Sequence, residues 1–133
     1  MENMKTLIAG FVLVLLSSTA CATDYKSLLS GKYLLMPDAG CAGIEFSKDG
    51  SAATLYGERG CTTEGGVGLD TRVKWVSSRA FILIEKEQVN EQSPPRNYVY
   101  VVDSIRGKHV MLKSVWTGWG NYPDDMTRYT IAR

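Results

Sequence analysis

The chain predicts an all-β fold: a small, eight-stranded, antiparallel up-and-down barrel carrying one disulfide. Three observations predict it. Eight short segments alternate or run apolar at strand length. The links between them are tight and long in strict alternation. Outside the first 22 residues nothing keeps a helical period over three turns. Evenly spaced short strands with turn signals build a sandwich or a closed barrel.

The first strand is Lys32–Met36 ("KYLLM"). Gly43–Ser47 and Ala52–Tyr56 follow, folded about Lys48-Asp49-Gly50, a hairpin signal. Thr71–Val76 ("TRVKWV") alternates, with Val73 and Trp75 on one face. Ala80–Glu85 ("AFILIE") is more continuously apolar. Asn97–Ile105 ("NYVYVVDSI") is β-branched and aromatic, as strands prefer. His109–Trp116 and Met126–Ala132 complete the eight, and Asp24–Leu29 has room for a single helical turn before them. The bulky inward candidates are Tyr33, Phe46, Trp75, Phe81, Tyr98 and Tyr129. Side chains of this size favour a filled barrel over a hollow one.

Residues 48–51, 77–79 and 106–108 are tight turns, whereas 37–42, 57–70, 86–96 and 117–125 are long. Successive links of a meander fall on opposite ends. All the long loops therefore share one rim, and such a rim is where a scaffold usually works. Its most aromatic loop is "TGWGNYPDD" (117–125), preceded by Trp116. Trp116, Trp119 and Tyr122 are the residue types that dominate binding hot spots. Two roles stand open for this loop: anchors for a partner, or a lid folded over the barrel mouth. The glycine-rich "GERGCTTEGGVGLD" (57–70) lacks the strand-to-helix setting of a phosphate loop and reads as a mobile or tightly turning part of the rim.

The N-terminal segment places the chain. Lys5 precedes the apolar run "TLIAGFVLVLL" (6–16) and the small residues 17–22, the pattern of a secretory leader. The run is shorter than the roughly 20 residues that span a bilayer. Ala20-Cys21-Ala22 satisfies the small-x-small cleavage rule, giving a signal peptide over 1–22 and one domain over 23–133, in the periplasm or secreted. "SSTAC" also resembles a bacterial lipobox, with Ser18 where such signals usually have Leu. On that alternative Cys21 carries a lipid and the protein sits at the outer membrane. Either outcome removes Cys21 and leaves Cys41 and Cys61. In an oxidising compartment such a pair reads as a disulfide. The hairpin between them brings their flanks together. Its loop length corresponds to roughly 3 kcal/mol of stabilisation.

Catalytic chemistry is sparse. Fifteen basic against fourteen acidic residues, net +1, argue against a nucleic-acid partner. His109, the single histidine, follows a tight turn and reads as a satisfied or solvent-facing strand residue. Asp124 and Asp125 fall short of the six to eight oxygens calcium takes and read as a solvated turn. Glu58, Glu64 and Asp70 could supply a hydrolytic carboxylate pair, with nothing to select it. No metal, cofactor or catalytic residue is expected, and the protein reads as a non-enzyme.

Several short stretches carry a resemblance. "LSGKYLL" (29–35), Cys41, "IEF" (44–46), "LYG" (55–57), Cys61 and Trp75 ahead of "FILIE" resemble the bacterial periplasmic inhibitors of serralysin-type metalloproteases. The opening is also similar to that of lipocalins, with Tyr33 where they have tryptophan. The match covers residues 29–86, while the strand around Tyr98–Ile105 and the tryptophan loop depart from it. The resemblance implies an exported lipocalin-like barrel with a disulfide between corresponding loops. It also implies an N-terminal trunk, here Thr23, Asp24, Tyr25 and on to Leu28, that enters a protease cleft and approaches its zinc. Three readings follow, in order of preference. The first is a non-enzymatic inhibitor or immunity-type module gripping a protein, such as an exported protease, by its rim. The second is a carrier of a small apolar ligand, and the third a hydrolase. Membrane contact is expected only with a lipid on Cys21.

Overall fold

The strands close on themselves in chain order. The computed structural model describes residues 23–58, 68–88 and 90–132. Its strands are β1 (Tyr33–Leu35), β2 (Gly43–Phe46), β3 (Ala52–Tyr56), β4 (Leu69–Trp75), β5 (Ala80–Glu85), β6 (Asn97–Arg106), β7 (His109–Val115) and β8 (Asp125–Ile131). Each pairs antiparallel with the next, and β8 returns to β1, so the barrel is closed and the fold is all-β. The eight expected strands are all present. The loops between β1–β2, β3–β4, β5–β6 and β7–β8 share one end of the barrel, and the three tight turns share the other.

Pairing sets the strand ends. β4 starts at Leu69, earlier than its alternation suggests, because Leu69 lies opposite Leu55. β1 stops at Leu35, two residues before Pro37, which has no N–H to donate to a ladder. Gly43 is required where β1 meets β2: a Cβ there would lie 1.9 Å from the Leu34 carbonyl oxygen.

Burial follows the two-residue period of each strand. Leu34, Ile44, Phe46, Ala53, Phe81, Leu83, Tyr100, Val102, Val110, Leu112 and Tyr129 are buried inside. Phe81 is the hub: its ring lies 5.6 Å from Phe46, 5.0 Å from Trp75 and 5.4 Å from Tyr100. Thr71 is the buried polar exception, and its hydroxyl donates to the Ala53 carbonyl at 2.7 Å. Tyr33 does not point inward. Leu34 takes the interior position of β1, so Tyr33 faces out, edge-on to Tyr56, and its hydroxyl donates to the Cys41 carbonyl. In β6 the register slips between Val102 and Ser104. The bulge at Asp103 moves the inward set from Tyr98, Tyr100 and Val102 to Ile105, which lies opposite Val110.

The tight-turn end is plugged. Tyr25–Leu29 form the helical turn α1, capped by Asp24, whose carboxylate accepts from the Ser27 N–H at 3.2 Å and hydroxyl at 2.6 Å. Those bonds hold the Asp24 carboxyl below its ordinary range. Leu29 is fully buried, and Arg79 lies over the Tyr25 ring at 5.7 Å. Gly31, at φ +71°, then turns the chain into β1, and its N–H donates to Ser47 at 2.7 Å.

Asp49 organises the β2–β3 turn. Its Oδ1 accepts from the Ser51 N–H at 3.0 Å, the Ser51 hydroxyl at 2.8 Å and the Ser47 hydroxyl at 2.7 Å. These bonds, led by the Ser51 N–H, lower the carboxyl to about 2. A depressed carboxylate contributes stability that is present above its unfolded value and lost as pH falls through the folded one. The contribution is therefore complete above about pH 4 and fades toward about pH 2. Asp49→Asn is expected to flatten the dependence of Tm on pH in that window, as thermal unfolding at stepped pH would record.

Candidate functional site

The β7–β8 loop is braced from within. Trp116 directs its backbone N–H to Asp124 Oδ1 at 2.8 Å and its indole N–H to the Gly120 carbonyl at 3.2 Å. The Trp116 and Tyr122 rings meet edge-on at 5.1 Å. Two glycines make that packing possible. Gly118 lies so close to the Trp116 ring that a Cβ would come within 2.5 Å of it, and Gly120 turns at φ +80° beside Tyr122. Asp124 is thus a loop clamp, and sequence alone left it as a solvated residue.

On that platform Trp119 stands 96% exposed, with Tyr122 at 65% and Trp116 at 46%. The lid role is excluded for Trp119, because a ring folded over the barrel mouth would be covered. Exposed tryptophan is uncommon on a monomer surface, and one held out by a built loop is a feature to be explained.

The neighbouring β5–β6 loop is stapled at its base. Glu85 continues the inward parity of Phe81 and Leu83, and its side chain is 6% exposed. Arg96 closes on it with Nη2 at 2.8 Å, Nε at 3.2 Å and its backbone N–H at 3.0 Å. The guanidinium bonds hold the Glu85 carboxyl below its ordinary range. Pro94 and Pro95 of this loop, with Glu85, Lys86 and Gln88, line a depression of about 360 Å³. Sequence reading missed this pair, since its partners are eleven residues apart and meet only once β5 and β6 are in register.

The other candidates separate. Thr23, Asp24 and Tyr25 lie at the tight-turn end with α1, across the barrel from Trp116, Trp119 and Tyr122, so the two sets cannot form one contact surface. Asp70 accepts from Thr54 at 3.0 Å on the outer wall. Glu58 is exposed, and Glu64 lies outside the described residues, as do Cys21 and Cys61. Cys41 lies in the β1–β2 loop of the rim. Among the described residues no group of three acidic, histidine or cysteine side chains is placed to hold a metal. Nor is any described helix long and apolar enough to cross a membrane. His109 departs from its expectation: its Nδ1 is shielded from solvent and has no partner among the described residues. Inside the barrel Tyr100 and Tyr129 are buried phenols, and burial pushes both up from their ordinary range. Against models of protein families, curated proteins and solved structures alike, the chain finds no match.

Proposed function

We propose that this chain is an exported, non-enzymatic binding module, an inhibitor or immunity-type protein that holds a protein partner with its long-loop rim. One observation carries the reading. Trp119 is almost wholly exposed at the tip of a loop whose other aromatics are spent on holding it there. Rigid, exposed aromatics are what an interface uses as anchors, because little conformational freedom is lost when they are buried. An exported metalloprotease is the partner class we favour, on the resemblance over residues 29–86. Contact through the rim fits better than contact through a trunk. Tyr25 and Leu29 are packed on the barrel, so only residues before Tyr25 are left to project.

The carrier reading is weaker, because Phe46, Trp75 and Tyr100 fill the interior, each in ring contact with Phe81. The hydrolase reading gains no support from its own acids, since Glu58 is exposed and Asp70 accepts from Thr54 on the outer wall.

The test uses the mature chain, residues 23–133, against a serralysin-type protease. Inhibition that falls when Trp119 is replaced supports the rim. A protease left fully active by a large molar excess removes that partner class. Export also implies the Cys41–Cys61 disulfide, joining two rim loops. Thiol counting on the unreduced mature protein is expected to find none free, and two free thiols would remove the staple. Intact mass separates a Thr23 terminus from a lipidated Cys21, the alternative that would put the protein on the outer membrane.

A further inference from the structure

The outer wall of β6, β7 and β8 holds a second feature, far from the rim and independent of the reading above. Strand register places Arg106 opposite His109, and Met111 opposite both Ser104 and Arg128. These five side chains line one depression of about 350 Å³. Its polar lining is two arginines, a histidine and a serine hydroxyl, with no carboxylate among them. The ion pair formed among the described residues is Arg96–Glu85, so neither Arg106 nor Arg128 has an acidic partner there. Asp103, the nearest acid along β6, sits at the bulge above Ser104 and does not line the depression. Lys108 in the adjoining turn and Lys113 on β7 add positive charge to the same wall.

The hydrogen-bond inventory there is lopsided. Arg128 Nη2 lies 3.4 Å from His109 Nε2. A guanidinium can only donate, so Nε2 is the accepting side of this contact. Nδ1 is itself shielded and unpartnered among the described residues. Donors thus crowd the site, and the histidine nitrogen that could accept is already used by Arg128. Arginine forks match the paired oxygens of phosphate and carboxylate, and two forks from different strands suit a group with more than two oxygens.

We propose that the depression between Arg106, His109 and Arg128 is a binding site for a phosphate-type oxyanion, free or as the end of a small molecule. The oxyanion bridges the two guanidinium groups and takes the Ser104 hydroxyl, supplying the acceptor that the wall lacks.

The single histidine makes the test direct, because its ring nitrogens give unambiguous NMR signals. The mature chain is titrated with inorganic phosphate at fixed pH and ionic strength, with acetate and chloride as parallel arms. The expected result is a saturable shift of the His109 ring signals with phosphate, half-complete at about 1 mM, the level of a few charge-assisted bonds after the cost of binding. R128Q and R106Q should each weaken it at least tenfold, while K74Q, on β4 across the barrel, should leave it unchanged. Arg106 is exposed at the end of β6, so R106Q decides the matter if R128Q fails to fold. A shift that stays linear overturns the proposal. So does equal saturation by acetate or chloride, which marks an adventitious ion only. Wild-type affinity in R106Q overturns it as well.

Discussion

Trp119→Ala is expected to weaken partner binding about thirtyfold, roughly 2 kcal/mol, and to leave Tm where it was. Both halves of the expectation come from the same exposure. A ring that is 96% accessible contributes almost nothing to the folded monomer, so its loss opens no cavity. Buried at the centre of an interface, the same ring would be the largest single patch of apolar area the loop can offer. Trp116→Ala is expected to behave differently. Trp116 holds Gly120 through its indole N–H and Tyr122 through ring contact, so its removal should slacken the whole loop. Binding should fall and Tm should fall with it. Lys48→Ala, in the β2–β3 turn at the opposite end, should change neither. Unchanged capture of the partner by Trp119→Ala would move the binding surface off this loop. A lowered Tm for that variant would mean the ring is packed in solution after all.

What the sequence reveals about this fold is its periodicity, and what it hides is its register. Alternation located β2, β3 and β5 to within a residue, because apolar residues on one face of a half-buried strand recur every second position. It did not say which face an aromatic takes. Tyr33 is as bulky as any core residue, yet Leu34 holds the interior of β1 and puts Tyr33 outside. The run "NYVYVVDSI" is readable as a strand, but the slip at Asp103 depends on what β7 places opposite it. The rim was legible from loop lengths alone. The features that give the rim its form were not: Asp124 clamping the Trp116 N–H, and Arg96 closing on Glu85, are contacts between residues eight and eleven positions apart. His109 was misjudged for a related reason. A lone histidine after a turn is ordinary in sequence, and only the pairing of β6, β7 and β8 sets two arginines around it.

The largest loss of stability is expected from Phe81→Ala, about 3–5 kcal/mol in chemical denaturation. Phe81 has no exposed surface and touches rings from β2, β4 and β6 at once, so the space it leaves cannot close by one neighbour moving. Against the 5–15 kcal/mol that hold a domain of this size, such a loss approaches unfolding. Tm should drop by well over 10 °C. Phe81→Leu, which keeps most of the volume, should cost about 1–2 kcal/mol and serve as the folded comparison. The same variant decides between a filled and a hollow barrel. If the interior is filled, the native chain should take up no benzene, and a Phe81→Ala chain that stays folded should, because an apolar void of that size remains dry and open to such a guest. If the native barrel is hollow, Phe81→Ala should cost less than about 1 kcal/mol, since the cavity it enlarges already exists. Benzene binding by the native chain together with that small loss would return the carrier reading to first place, and Trp119 would then have to be explained as something other than an anchor.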